Sequence, residues 1–374
     1  MSSLAALSAP NQNTKPGSIL YSETLICKNM TVSGTQAIQN LEVKNNLLVD
    51  GYINTVSDQE TSGTLYMNSL FPTSIALPVG TNGGYFTFSS TLGKVVHSGL
   101  VAANSASAST NGSTFAQLLT PFANPYIVWM PNLNLFTGID IIGTAVYTSP
   151  TAVNGSWVIG TPAASNFNID SVPFYSSIYQ KVYMGNTQVG SRVYSTSNGS
   201  LYSPCAATRF IFSMDQAPAS SGLGTGNGRI VAVGSEGPSY SDDGSNFLPS
   251  NSTIPMHSVA WSPFWSMFVG IVNTGTTSVY ISTNGIDWTT VTNAYSPGVS
   301  GQKFIIWVNQ LQLFVSGGDL SQFHISKDGR SWRRLFGTVP GLIAYGGIYI
   351  KEWGQFMSGG LGTVIAASSR KYFN

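Results

Sequence analysis

Charge is what this sequence has least of. Asp, Glu, Lys and Arg make up 8% of its 374 residues, against roughly a quarter in soluble proteins at large. The net charge is +1, and no basic run occurs beyond Arg330, Arg333 and Arg334. That excludes the electrostatic footprint of a nucleic-acid binder. The two cysteines, Cys27 and Cys205, are too few and too far apart for a disulfide framework or a thiolate metal cluster. His97, His257 and His324 have no partner at ligand spacing, so neither metal nor cofactor is expected. No apolar run approaches the ~18 residues of a membrane span, and the opening MSSLAALSAPNQNTKPGS lacks the basic start and apolar core of a secretion signal. Membrane insertion is therefore not expected. Helical spacing is nearly missing too, with the Ala and Leu run near 100–120 its only trace.

Glycine is abundant, with 40 residues, and it recurs in a fixed setting. Ser326-Lys-Asp-Gly-Arg-Ser-Trp332 is matched by Ser282-Thr-Asn-Gly-Ile-Asp-Trp288, Ser241-Asp-Asp-Gly-Ser-Asn-Phe247 and Thr196-Ser-Asn-Gly-Ser-Leu-Tyr202, and more loosely by Asn154-Gly-Ser-Trp157. The glycines Gly155, Gly199, Gly244, Gly285 and Gly329 lie 44, 45, 41 and 44 residues apart. This is the period of one four-stranded propeller blade. Upstream of the box, Trp129 and Phe136, Trp261 and Phe268, and Trp307 and Phe314 are each separated by seven residues, as two short antiparallel strands with a tight turn require. Tyr349 and Phe356 open a further copy that lacks the turn glycine.

Each repeat thus reads as four short strands rich in Val, Ile, Tyr, Phe and Trp, with Gly, Asn and Ser between them. The expected fold is all-β: a β-propeller of about six blades over 121–374. A four-stranded sheet cannot bury both faces alone, whereas sheets stacked around an axis can. In each box the acid or amide (Asn154, Asn198, Asp243, Asn284, Asp328) accepts hydrogen bonds from its own turn. The glycine supplies a positive φ, and the aromatic (Trp157, Tyr202, Phe247, Trp288, Trp332) packs between blades.

These residues resemble the Asp-box, or BNR-type, propeller repeat of sialidases and of many non-enzymatic propellers. The spacing is one residue shorter than the family pattern, and Asn replaces the acid in several copies. The resemblance covers about two thirds of the chain and implies a fold more than an activity.

Before the repeats, residues 24–60 alternate apolar and polar residues in short bursts (Met30 and Val32, Val43, Leu47 and Val49) interrupted at Gly34, Asn45-Asn46 and Asp50-Gly51. The run resembles the stalk repeats of viral and phage fibres, which implies intertwined β structure in a homotrimer. The remaining expected divisions are a flexible attachment tail over 1–23, a small β collar over 61–100, and an Ala/Ser/Asn linker over 101–120.

Sialidase chemistry demands an arginine cluster for a carboxylate, a tyrosine nucleophile with an acidic partner, and an acid/base carboxylate. Arg209-Phe-Ile and Arg229-Ile-Val come nearest to the family's arginine motif, but lack its proline and its position. No G-x-S-x-G elbow and no Cys–His pairing occurs. An enzyme is not expected; a glycoside hydrolase with degenerate motifs is the alternative. The loops opposite the box carry Asp140, Glu236, Asn273, Asp319 and Gln322, polar groups suited to a glycan. The sequence therefore reads as a structural virion protein, exposed on the particle surface. Its N-terminus would join capsid or tail proteins, and its propeller head would contact a host glycan or receptor. A capsid decoration without a receptor is the further alternative.

Overall fold

The computed structural model describes residues 20–32, 36–49, 73–78, 84–98, 106–121, 125–140, 145–160, 171–186, 192–224, 228–274, 277–295, 301–319, 322–335, 342–361 and 364–368. Most of the expected tail, over residues 1–19, lies outside them. The chain divides into two units, 1–70 with residue 374, and 71–373.

In the first unit, β1 (Leu20–Val32) and β2 (Gln36–Val49) pair in parallel, with Leu20 opposite Gln36 and Val32 opposite Val49. A straight strand of that length would run about 43 Å. Only four Cα steps separate Val32 from Gln36, a reach of at most about 14 Å. The first strand must therefore curl back so that its successor lies beside its own start. The result is a coil whose neighbouring turns are sixteen residues apart, and seventeen beyond the bulge at Cys27/Asn29. These strands are longer than the short bursts of alternation suggested, and they pair within one chain.

The second unit is a ring. Among the described residues it holds seven antiparallel blades of four strands: blade 1 (85–118), blade 2 (125–160), blade 3 (174–207), blade 4 (213–249), blade 5 (258–291), blade 6 (302–334) and blade 7, with blades 3 and 4 joined into one eight-stranded sheet where Ala206 and Ala207 pair in parallel with Asn246 and Phe247. Blade 7 joins three strands over 343–367 to Thr73–Ala76, whose Ile75 lies opposite Ile365. The first strands of the blades pack beside one another in a closed circuit, with blade 7 next to blade 1. The expected collar and linker are in fact the closing strand and blade 1. The expected start of the ring at 121 comes one blade too late.

The linker composition hid a box. Ser109-Thr-Asn-Gly-Ser-Thr-Phe115 has the same hydrogen bonds as the later copies: Gly112 N–H donates to Ser109 Oγ, and Ser113 and Thr114 N–H donate to Asn111 Oδ1. Blade 7 lacks a box for a topological reason. Its third and fourth strands come from opposite ends of the ring sequence, so no turn joins them.

In blade 2 the box is displaced. Ala152, at φ 46°, donates its N–H to Ser149 Oγ and fills the place assigned to Gly155. Asn154 instead accepts from Leu119 N–H of blade 1. In the regular copies, Asp328 Oδ1 accepts from Arg330 and Ser331 N–H, and Asn284 and Asp243 do the same in their turns. Box glycines also lean on the preceding blade. A Cβ on Gly329 (φ 69°) would lie 2.7 Å from Val269 Cγ2.

The box aromatic fills the seam with that same neighbour. Trp332 packs with Val269, Tyr295, Ile305 and Phe314, donating Nε1–H to Gly329 O at 3.1 Å. Tyr202, Phe247 and Trp288 occupy the corresponding seams before blades 3, 4 and 5. Burial of each ring contributes on the order of 2 kcal/mol. The seven-residue aromatic pairs are cross-strand partners, Trp129 with Phe136, Trp261 with Phe268 and Trp307 with Phe314, at ring separations of 4.7, 4.6 and 4.7 Å.

The tight turn expected between the first two strands recurs as a second corner. Between the first and second strands of six blades lies a four-residue turn whose last residue has positive φ: Gly93, Asn134, Gln180, Ser266, Gln312 and Gly354.

Candidate functional site

The first strand of a blade has one edge paired to the second strand and another facing the axis. Its free N–H groups need acceptors. Side chains of the preceding blade supply them. Trp129 N–H donates to Thr87 Oγ1 at 2.8 Å, Ile305 N–H to Ser258 Oγ at 3.2 Å, and Trp261 N–H to Asp215 Oδ2 at 2.7 Å. Asp215 Oδ1 also accepts from Gln216 N–H. Thr87 and Asp215 hold the same place, third in their strands and bonded to the matching tryptophan. One does so without charge and the other with it. Desolvation pushes the Asp215 carboxyl up to about 6, against the pull of its two backbone donors.

Where the first strands begin, they surround a cavity of about 240 Å³ lined from six of the seven blades. Tyr85, Phe174, Phe212, Phe304 and Tyr345 supply aromatic surface, and Asp215, His257 and Lys303 supply the titratable groups. An arc of stacked side chains runs across successive blades. Phe212 meets His257 at 5.4 Å between ring centroids, and Lys303 Nζ lies 5.4 Å from the centre of Tyr345. Lys303 Nζ is also 3.6 Å from Asp319 Oδ1. Burial, aided by the Lys303 charge and opposed by Asp319, lowers His257 to about 4, so its imidazole is neutral at pH 7. Burial and the Asp319 charge raise the Tyr345 phenol. The mouth of the axis thus offers flat apolar faces, a neutral imidazole and a paired ammonium. These groups suit stacking and hydrogen bonding.

The five loop residues expected to meet a ligand divide. Asn273 and Asp319 converge on Gly301, whose added Cβ would lie 2.6 Å from Asn273 Oδ1 and 3.0 Å from Asp319 Oδ2, and Gln322 N–H donates to Asp319 O. Asp319 ties this group to Lys303 and so to the axial mouth. Asp140 is buried, and its Oδ1 accepts from Ala145 N–H, which is a loop-closing role. Gln322 is buried as well. Glu236 is exposed and accepts from Phe210 N–H. The aromatic lining was missed, because its residues precede or begin strands whose apolar character reads as core. The available signal was an aromatic or cation recurring where each first strand starts.

The arginines are engaged elsewhere. Arg229 forms a two-pronged ion pair with Asp242, at 2.6 and 2.7 Å, and donates to Asn284 O. Arg209 Nη1 donates to Pro238 O and Ser252 O, and Arg192 stacks over Phe210 at 3.6 Å. Arg330, Arg333 and Arg334 are exposed on the box turn and outermost strand of blade 6, and Arg370 lies outside the described residues. Cys205 is a buried thiol whose Sγ–H donates to Ser195 Oγ. Among the described residues, no helix is long and apolar enough to cross a membrane.

No protein-family model and no curated protein matches this chain. Solved structures do. One is that of YCF48 bound to D1 peptide, with TM-score 0.59 and 14% identity, covering 79% of this chain and 94% of that one. Another is the crystal structure of Saccharomyces cerevisiae Sqt1, with TM-score 0.56 and 11% identity, covering 81% and 99% respectively. At these identities the likeness shows the β-propeller fold alone.

Proposed function

We propose that this chain is a non-catalytic recognition protein, the propeller head of a trimeric virion fibre or spike, which attaches to a host surface through a glycan docked at the axial mouth. The observation that carries the reading is the mouth itself: aromatic faces from five blades around one cavity, with its ammonium paired and its imidazole neutral. Such a lining supports binding better than bond cleavage. Arg192, Arg209 and Arg229 are held in structural contacts, which counts against their forming the carboxylate clamp of a sialidase.

The N-terminal unit supports the fibre half of the reading. A two-stranded parallel coil has too little of its own core to stand alone, and three copies wound together would cover it. Three heads on one stalk would offset weak single-site binding by avidity.

The test combines sedimentation of the full chain with glycan-array and cell-binding measurements on the full chain and on its Phe212→Ser and Tyr345→Ser variants. A trimer whose binding is lost in both variants is expected. A monomer would overturn the fibre, and equal binding by both variants would overturn the mouth. Turnover of a fluorogenic sialoside, abolished by changing an arginine, would replace the reading with a hydrolase.

A further inference from the structure

We infer that the turn at the box end of blade 5, Pro263-Phe264-Trp265-Ser266, is a stacking platform for a pyranose ring, separate from the axial mouth. Phe264 and Trp265 are 57% and 46% exposed, and their rings meet edge to face at 5.1 Å.

The turn is the recurring four-residue corner, so its positions can be compared between blades. The third residue has a structural duty. Tyr179 and Trp353 lie against the box glycines Gly244 and Gly112 of the next blade, and Trp265 donates Nε1–H to Lys327 O of the next box at 2.5 Å. The second residue has no duty common to the blades: Thr91 Oγ1 donates to Asn134 Oδ1 and Asn132 Oδ1 accepts from the Tyr175 hydroxyl, each across a blade seam. The residue is Thr91, Asn132, Gln310 and Glu352 in blades 1, 2, 6 and 7. In blade 3 it is Ile178, which is half-buried against Gly228. In blade 5 it is an exposed phenylalanine. Nothing in the folding of the corner asks for one.

The geometry favours a sugar over a protein partner. Trp265 has its only polar atom already bonded and its orientation fixed, so it presents an indole face without paying to order it. The two half-exposed rings offer roughly 200 Å² between them, far below the ~800 Å² that a protein partner covers on each side. Their immediate surround is polar: Lys327, Arg330 and Ser331 are exposed on the adjoining box turn and can bond ring hydroxyls. A patch one ring wide, apolar in the middle and rimmed by donors, matches the C–H face and equatorial hydroxyls of a pyranose.

The experiment uses the full chain labelled with 5-fluorotryptophan, with the Trp265 resonance assigned from Trp265→Phe, titrated with methyl β-D-galactopyranoside and followed by fluorine NMR. A saturable shift of that resonance is expected, with affinity reduced about tenfold in Phe264→Gln, which copies blade 6 and should leave the melting temperature unchanged. Absence of a saturable shift, or the same shift and affinity in Phe264→Gln, would overturn the platform. So would a Trp265 signal that moves with protein concentration alone, since the patch would then be a contact between copies. Sugar-induced shifts confined to other tryptophan resonances and abolished by Tyr345→Ser would also overturn it, while leaving the axial mouth standing.

Discussion

Replacing Asp215 with threonine should stabilise this protein at neutral pH. The carboxyl sits in the axial cavity and titrates at about 6, against an ordinary 3.8, because burial outweighs the two N–H groups it accepts. A raised acid binds more protons folded than unfolded, so its contribution falls as pH rises from about 4 through 6. A displacement of about two units corresponds to at most ~3 kcal/mol. Access to the cavity screens part of that, so ~1–2 kcal/mol is the expected penalty at pH 7. Thr87 already performs the same bond to Trp129 without charge, at 2.8 Å. Asp215→Thr should therefore keep the Trp261 contact, raise stability at pH 7.5, and flatten the slope between pH 4.5 and 6.5. Urea unfolding across that range measures both. A variant less stable than the parent at pH 7.5, with the slope intact, would refute the reasoning.

Other expectations concern the corners and the seams. Gly329→Ala combines a φ of 69° with a Cβ 2.7 Å from Val269 Cγ2 and 2.8 Å from Met267 Cε, and should cost ~2–4 kcal/mol in urea unfolding; an unchanged midpoint would contradict the close approach. For Asp243, partial burial acts to raise the carboxyl, but N–H and side-chain donors from Asn246, Ser245 and Ser241 outweigh it and hold it down to about 2. That group supports folding above its ordinary 3.8 and ceases to as pH falls toward 2. Asp243→Asn should thus lose less melting temperature than the parent between pH 5 and 2.5, the opposite sense to Asp215. Trp332→Ala empties the seam between blades 5 and 6 and should cost ~3–5 kcal/mol, read by loss of the cooperative thermal transition at 37 °C.

The blade pattern was legible because a box fixes three things at once: an acceptor at its third place, a glycine, and an aromatic three residues beyond that glycine. Where one element was disguised, the reading failed. Asn111 and Gly112 were buried in a run of Ala and Ser that reads as a linker. Gly155 has the expected positive φ of 81°, but the residue bonded to the Ser149 hydroxyl is Ala152, at φ 46°. The seventh blade could not be counted from one end of the chain, because Thr73–Ala76 supplies its last strand across the whole ring. Long-range pairing of that kind has no local signature. Site residues suffered similarly. Asp140 and Gln322 look like loop polars in sequence, but each completes backbone hydrogen bonds or is buried. Meanwhile the aromatic residues of the mouth look like core.

Both candidate sites exist only if the ring is closed by that N-terminal strand. Thermal unfolding of two truncations, one beginning at residue 71 and one at residue 81, tests this most directly. The account predicts that the first melts as one cooperative transition within a few degrees of the full chain, and that the second, with blade 7 reduced to three strands, melts far lower or without cooperativity. Equal melting of the two would contradict it.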